Sequence, residues 1–208
     1  RDHALRASGC EALITRDEIT ELPHGGISLP AGTAKVTYTS GTTGTPKGVC
    51  LSKNAMTAVA QSLVDVLGAD LAKNHVSVLP LGILLENVAG VYATLLAGGS
   101  VFLPSLHSFG ENYSSLRDIL LKARATSLIL VPEILRILMA QIAGGGPLPD
   151  LDYIAVGGSK ISTHLLDSAR EMGLPVYEGY GLSECSSVIA LNTPEHNRHG
   201  SAGKILPH

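Results

Sequence analysis

From residue 34 onward, the sequence alternates between short runs rich in β-branched residues and longer segments in which apolar residues recur at helical spacing. This alternation is typical of a mostly parallel sheet, because parallel strands can be joined only by long crossovers, which are usually helices. The predicted strands are 35–39, 76–81, 101–103, 127–131, 153–156, 175–177 and 187–191. We therefore predict an α/β fold in which a mostly parallel β-sheet is flanked by helices.

Helix boundaries are marked between the predicted strands. Ser52, Ser115, Pro132 and Ser162 stand at the starts of four stretches with apolar residues at helical spacing. Because Ser is a frequent N-cap and Pro is favoured in the first turn, these residues predict four helices. A further helix is predicted over 88–95 from its periodicity.

Charge and cysteine content narrow the range of partners and locations. The formal net charge is -3, the pI is near 6.2, and Lys and Arg form no run, so a nucleic acid is not expected as a partner. The three cysteines form no C-x-x-C pair and fit neither a disulfide framework nor a thiolate zinc site. No apolar run approaches the ~20 residues of a transmembrane segment, and no signal-peptide pattern is present, so a cytoplasmic location is predicted.

The run 38–48, Tyr-Thr-Ser-Gly-Thr-Thr-Gly-Thr-Pro-Lys-Gly, follows the strand predicted over 35–39. Its glycines allow backbone amides to approach oxygens closely, its hydroxyls donate hydrogen bonds, and Lys47 adds a positive charge, so the run suits a polyphosphate. The Walker pattern G-x-x-x-x-G-K-[ST] is not present, and by composition alone a plain turn between strand and helix also fits. The residues predicted to bind nucleotide phosphates are Thr39, Ser40, Gly41, Thr42, Thr43, Gly44 and Lys47.

A second polar run, 177–184, follows a later strand and has the sequence Tyr-Glu-Gly-Tyr-Gly-Leu-Ser-Glu. Tyr180 offers a flat face for a purine, Ser183 a hydroxyl for a phosphate, and Glu184 a hard oxygen ligand for magnesium. Such a turn is compatible with a purely structural role when it stands alone. Its occurrence together with the run 38–48 indicates an ATP site.

A third run, 156–160, contains the pair Gly157 and Gly158 after another predicted strand. Two glycines allow the backbone to approach the ring of a ligand closely. Because ligands gather beyond the carboxyl ends of parallel strands, all three runs are expected at one edge of the sheet.

Together these runs resemble the signature motifs of the AMP-binding, or adenylate-forming, superfamily, which contains acyl-coenzyme A synthetases, luciferases and peptide-synthetase adenylation domains. The run 38–48 matches Y-T-S-G-T-T-G-x-P-K-G at every position. Residues 180–184 are similar to Y-G-x-T-E with Ser in place of Thr, and 157–160 to G-G-A-P with Ser-Lys in place of Ala-Pro. Residues 200–204 are similar to the start of G-S-V-G-x-P.

The resemblance implies an acid–thiol ligase that joins ATP to a carboxylic acid, releases pyrophosphate, and passes the acyl group from the acyl-AMP to coenzyme A. It implies Lys47, Ser183 and Glu184 as catalytic residues, with Glu184 as a ligand of magnesium. The residues that it places around the nucleotide, besides the phosphate run, are Gly157, Gly158, Ser159, Glu178, Gly179, Tyr180, Gly181 and Ser183.

A further stretch, 79–86, resembles L-P-L-x-H-x-x-E of fatty-acyl synthetases, with Ile83 where those enzymes have His. Gly82, Ile83 and Tyr180 are therefore predicted to contact the acid, in a pocket that is apolar beside the carboxylate. No Asp stands nearby to hold an ammonium group, which favours a fatty acid over an amino acid. The same stretch also fits a buried strand end.

Two alternatives stay open. One is an adenylation domain that loads an acyl or aryl group onto a carrier protein. The other is a nucleotide-binding module without catalysis, which the departures at Ile83, Ser159 and Ser183 favour.

The resemblance covers the central subdomain of the family's large domain, with a leading βα piece and loop over 1–33 and the main sheet over 34–208. The chain begins at Arg1 without a Met, and we expect it to be a fragment. The ribose-binding Asp and the lysine of the family's small C-terminal domain have no counterpart in it. We therefore expect the isolated chain to be inactive.

Overall fold

The computed structural model describes residues 8–15, 17–23, 26–39, 47–68, 73–198 and 200–208. The chain divides into two compact units, Arg1–Lys53 and Asn54–His208. The predicted division into 1–33 and 34–208 refers to the subdomains of a larger enzyme and stays a prediction.

The first unit contains two antiparallel strand pairs. Strands β1 (Ala12–Ile14) and β2 (Ile19–Glu21) form one pair, and β3 (Thr33–Thr39) and β4 (Lys47–Ser52) form the other. Among the described strands, β3 pairs with β4 and not with the main sheet to which it was assigned from sequence. Strand β4 was not predicted, because its formation depends on pairing with β3 and not on a strong local signal.

The second unit is built on a sheet of seven described strands in the order β11-β10-β9-β8-β7-β5-β6. From β6 to β9 the strands are parallel, whereas β10 and β11 are antiparallel to their neighbours. The prediction of a mostly parallel α/β sheet is confirmed. The strands are β5 (Asn74–Val76), β6 (Ser100–Phe102), β7 (Ser127–Leu130), β8 (Tyr153–Val156), β9 (Val176–Leu182), β10 (Ser187–Leu191) and β11 (Lys204–Ile205).

All five predicted helices are present. They are α1 (Lys53–Leu67), a π-helical segment (Leu85–Tyr92) that continues as α2 (Ala93–Leu96), α3 (Leu116–Ala123), α4 (Pro132–Gly145) and α5 (Thr163–Glu171). Pro132 lies in the first turn of α4, and the Ser162 hydroxyl accepts a hydrogen bond from the Leu165 amide at 3.3 Å, as expected of an N-cap. Ser115 precedes α3, but its side chain makes no capping hydrogen bond.

The first of two strand predictions to be corrected concerns 76–81, where β5 ends at Val76. The backbone leaves the sheet because the amide of Leu79 donates to the carboxylate of Glu86 at 3.2 Å, and Pro80 has no amide hydrogen to donate.

The second correction concerns β9, which continues to Leu182 although only 175–177 was predicted. Its glycines allow β10 to approach closely: a Cβ on Gly181 would lie 1.9 Å from the carbonyl oxygen of Ser187. Gly-Tyr-Gly is typical of a loop, so the sequence predicts a turn here. In the structure the segment is a strand, and it can pair with β10 only because its glycines have no side chains.

The main core of the second unit lies where strands β7 and β8 meet helices α3, α4 and α5. Leu128, Leu130, Ile154 and Val156 belong to a buried cluster to which these three helices also contribute. Because side chains alternate along a strand, the intervening residues lie on the other face of the sheet. That face borders a cavity.

Candidate active site

A cavity of ≈ 270 Å³ lies within the second unit. Strands β5 and β7 to β10, helices α1 and α2, the π-helical segment and the turn before it contribute residues to its wall. The wall is mostly aliphatic, and none of the described residues that line it is Lys or Arg. Such a cavity suits a compact, largely apolar group.

Two glycine-containing segments that sequence predicted to bind the nucleotide meet at this cavity. Gly157 and Gly158 follow β8, and a Cβ on Gly157 would lie 3.2 Å from the carbonyl oxygen of Gly179 on β9. Gly158 has φ +81°, a conformation that favours glycine. At these two residues the surface of the cavity is therefore formed by backbone atoms and not by a side chain.

The predicted residues divide into those that line the cavity and those beside it. The lining set is Ile83, Gly157, Gly158, Gly179, Tyr180, Gly181 and Ser183. Tyr180 is 51% exposed, so it is accessible to a ligand. Gly82, Ser159, Glu178 and Glu184 do not line the cavity, although each adjoins a residue that does.

The phosphate run belongs to the first unit, where only its ends are described. Thr39 and Lys47 are opposite each other in the β3–β4 pair, so the two ends of the run are held together as a hairpin. Ser40, Gly41, Thr42, Thr43 and Gly44 lie outside the described residues. Lys47 is exposed at the start of β4, where its charge is accessible to an anion.

A buried polar network that was not predicted forms part of the cavity wall. His75, 2% exposed, bonds through Nε2 to Oε1 of Glu86 at 2.7 Å and through Nδ1 to Oγ of Ser127 at 3.1 Å. A Cβ on Gly90 would lie 2.6 Å from both Glu86 Oε1 and His75 Nε2, so a side chain at this position of the π-helical segment would have to displace the network. The sequence signal was Glu86 itself, the last residue of the stretch 79–86, but nothing marked His75 as its partner.

Tyr153 forms another part of the wall, together with Asn192 behind it. Its hydroxyl donates to the carbonyl of Asn192 at 3.2 Å, and its ring stacks on Tyr177 with the centroids 4.9 Å apart. Burial raises the pKa of the Tyr153 phenol far above its usual range, and Tyr177 raises it further, so this wall is uncharged. The Asn192 side chain donates to the carbonyls of Glu178 and Ser201, joining β9 to the segment after β10.

Glu184 is exposed on the short turn Ser183–Cys185 at the end of β9. Among the described residues, no group of three or more His, Cys, Asp or Glu side chains is placed to hold a metal ion. A single carboxylate fits magnesium that is bound mainly by phosphate oxygens and water, which is the usual arrangement for this ion at nucleotide sites.

In the described part of the chain, no helix combines the length and apolarity needed to cross a membrane.

Comparison with known proteins gives a consistent result. The sequence profile of the family described as AMP-binding enzyme matches residues 23–208. The 2-succinylbenzoate--CoA ligase of Staphylococcus aureus is 29% identical over 195 residues, which cover 93% of this chain and 38% of that protein. The peroxisomal OPC-8:0-CoA ligase 1 of Arabidopsis thaliana is 29% identical over 181 residues, which cover 83% of this chain and 32% of that protein.

Among solved structures, the O-succinylbenzoate coenzyme A synthetase of Bacillus subtilis in complex with ATP and magnesium ion is similar to this chain. The TM-score is 0.72 at 28% identity, over 88% of this chain and 39% of that one. The chain thus spans less than half the length of each of these three relatives.

Proposed function

Because the chain belongs to the AMP-binding enzyme family, we propose that it is part of an acid–thiol ligase that converts a carboxylic acid and ATP into an acyl-AMP and then transfers the acyl group to coenzyme A. The observation that carries the proposal is that two predicted nucleotide-binding segments, around Gly157 and Tyr180, border the same cavity as the predicted acid-binding residue Ile83. A nucleotide and an acid can react only where their sites adjoin.

The proposed first step is attack of the carboxylate oxygen on the α-phosphorus of ATP, with pyrophosphate as the leaving group. Lys47 would neutralise phosphate charge, Ser183 would donate a hydrogen bond to a phosphate oxygen, and Tyr180 would present its ring to the adenine. Bound magnesium, held in part by Glu184, would stabilise the negative charge that develops on the phosphates. In the second step the thiol of coenzyme A attacks the acyl carbon, and AMP leaves.

The size of the cavity limits the acid. A cavity of about 150 Å³ lined by aliphatic and aromatic side chains holds one benzene ring, so ≈ 270 Å³ holds an acyl group of less than two such rings. The relatives are named for 2-succinylbenzoate and OPC-8:0, which does not support the prediction of a fatty acid in particular. We therefore propose an aryl or medium-chain acid.

The cytoplasmic location predicted from the sequence remains part of the proposal.

Pyrophosphate exchange with the full-length protein tests this function. A panel of aryl acids, alkanoates from acetate to palmitate, and free amino acids is expected to give the highest exchange with acids of intermediate size. Exchange with no acid would favour the non-catalytic module. Acyl transfer to a carrier protein but not to coenzyme A would favour the adenylation domain instead.

A further inference from the structure

Glu86 is a fully buried acidic residue that the proposed reaction steps do not use. It lies in the first turn of the π-helical segment, is 0% exposed and does not line the cavity. Its carboxylate oxygens have different partners: Oε1 bonds to Nε2 of His75 at 2.7 Å, and Oε2 accepts from the amide of Leu79 at 3.2 Å. Because a buried carboxylate is costly unless it is well paired, its presence here needs an explanation.

The bond from Glu86 to Leu79 closes a turn. Residues 80–85 lead from Leu79 into the π-helical segment, and the carboxylate of Glu86 joins the two ends of this stretch. Within it, the amide of Ile83 donates to the carbonyl of Pro80 at 2.8 Å. The conformation of the turn therefore depends on a side chain that lies behind the cavity wall.

The same turn carries side chains to two parts of the candidate active site. Ile83, which is predicted to contact the acid, and Leu85 both line the cavity. Cδ2 of Leu85 lies 3.9 Å from the position of a Cβ on Gly157 and 4.0 Å from that of a Cβ on Gly158. Leu85 thus borders the glycine pair predicted to lie beside the nucleotide, so the turn adjoins the expected positions of both reactants.

His75 fixes the carboxylate relative to the sheet. It lies on β5, directly opposite Ser127 in the register with β7, and its Nδ1 bonds to Oγ of Ser127 at 3.1 Å. His75 and Ser127 are 2% and 6% exposed. A buried network whose members are hydrogen-bonded is rigid, so the bonds from Ser127 through His75 to Glu86 hold the turn in one place.

We infer that Glu86 is a positioning residue, whose carboxylate holds the turn 80–85 so that Ile83 and Leu85 align the acid with the nucleotide. Glu86 contacts neither reactant and acts through the turn. The inference rests on the proposed function, because it takes the cavity to hold the acid beside the nucleotide. It deepens that function by naming what keeps the two sites in register.

The test compares two substitutions of Glu86 in pyrophosphate exchange by the full-length protein, with the most active acid of the panel described above. Glu86→Leu removes both hydrogen bonds and should lower kcat/KM about a hundredfold, because a small displacement of reacting groups has an effect of this size. The KM for the acid should rise, which a loss of folded protein alone does not cause.

Glu86→Gln is the conservative variant. Its amide oxygen can accept from Leu79, and its amide nitrogen can donate to Nε2 of His75 if the ring donates through Nδ1 to Ser127. It should therefore recover most of the activity that Glu86→Leu loses.

Two further variants separate positioning from stability. If Glu86→Leu does not fold, the double variant His75→Leu/Glu86→Leu replaces the buried pair by apolar side chains, which proteins often tolerate, and still leaves the amide of Leu79 without its acceptor. Leu138→Ala destabilises the core away from the cavity and should leave the KM for the acid unchanged.

Hydrogen exchange of the backbone amides in 79–86, measured without any substrate, provides a second readout. Exchange should be faster in Glu86→Leu than in the unaltered protein and close to the unaltered rate in Glu86→Gln, because the turn opens locally when its closing bond is lost.

The outcomes separate the inference from the function on which it rests. If the unaltered protein activates acids but folded Glu86→Leu keeps the parental KM and amide protection, the inference is overturned and the proposed function stands. Equal impairment in Glu86→Gln and Glu86→Leu would also overturn it, because the hydrogen bonds would then not be what matters. If the unaltered protein activates no acid at all, the proposed function fails and takes the inference with it.

Discussion

The hairpin of β3 and β4 differs from the cavity of the second unit in how the sequence encodes the site. The hairpin uses consecutive residues, and the cavity uses residues from distant parts of the chain. The phosphate run lies within eleven consecutive residues, 38–48, of which the structure describes only the ends. The cavity is described in detail, but its wall is collected from helices and strands between residues 63 and 191. Binding that uses backbone amides and one charge can be encoded locally, whereas a cavity of defined shape needs side chains from distant parts of the chain.

The largest expected effect concerns the hairpin. Lys47→Ala in the full-length protein should lower acyl-AMP formation by up to about a thousandfold, because it removes the positive charge of the phosphate run. Pyrophosphate exchange measures this. The matched control is Lys53→Ala, which removes an exposed lysine at the start of α1 and should be near the parental rate. Equal rates in both variants would show that the local motif does not form the site.

A smaller effect is expected at the edge of the cavity. Glu184→Gln keeps the shape of the side chain and removes its charge, and should lower the rate roughly a hundredfold while raising the magnesium concentration needed for half-maximal exchange. Glu171→Gln, at the exposed end of α5, is the control. An unchanged magnesium dependence would argue against Glu184 as a metal ligand.

Substitutions in the buried wall of the cavity should change the stability of the protein and not only the rate of the reaction. Gly90→Ala would place a Cβ 2.6 Å from both His75 Nε2 and Glu86 Oε1, so it should lower the free energy of unfolding by about 2 kcal/mol. Gly144→Ala, in α4 with nothing within 4 Å of the added Cβ, should instead raise it by roughly 0.5–1 kcal/mol. Denaturant unfolding of both variants measures the difference, and a neutral Gly90→Ala would show that the network can shift.

The same contrast explains which parts of the fold were predictable. The order of strands and helices follows from periodicity and from end signals such as Pro132 and Ser162, which act over a few residues. Strand β4 and the extension of β9 were missed because each depends on a partner strand, and in β9 the glycines that allow close pairing also indicate a turn. The end of β5 was misplaced because the carboxylate of Glu86 takes up the amide of Leu79.

For the site, sequence was informative where function uses consecutive residues. Gly157, Gly158 and Tyr180 were identified from short motifs, and they line one cavity. His75 and Ser187 also line it, but no motif marks them: His75 becomes part of the network only by meeting Glu86 and Ser127. A partner that is distant in the chain leaves no periodic signal.

The smallest expected effect concerns the interior of the cavity, and it tests whether the wall selects by size. Each methylene buried contributes about 0.8 kcal/mol, so kcat/KM should rise by up to roughly fourfold per carbon along the alkanoates from acetate upward. The rise should stop once the acyl group fills ≈ 270 Å³, because a longer chain must leave part of itself in water or displace side chains.

A substitution in the wall tests the same limit. Leu63→Ala, on the α1 side of the wall, enlarges the cavity and should move the optimum to a longer acid, although it also destabilises the unit. Leu138→Ala removes the same side chain from the core around α4, away from the cavity, and should leave the optimum unchanged. A rise that continues unbroken to palmitate in the unaltered protein would show that the cavity does not limit the length of the acyl group. The contrast between a locally encoded phosphate site and a wall that selects by shape would then be lost.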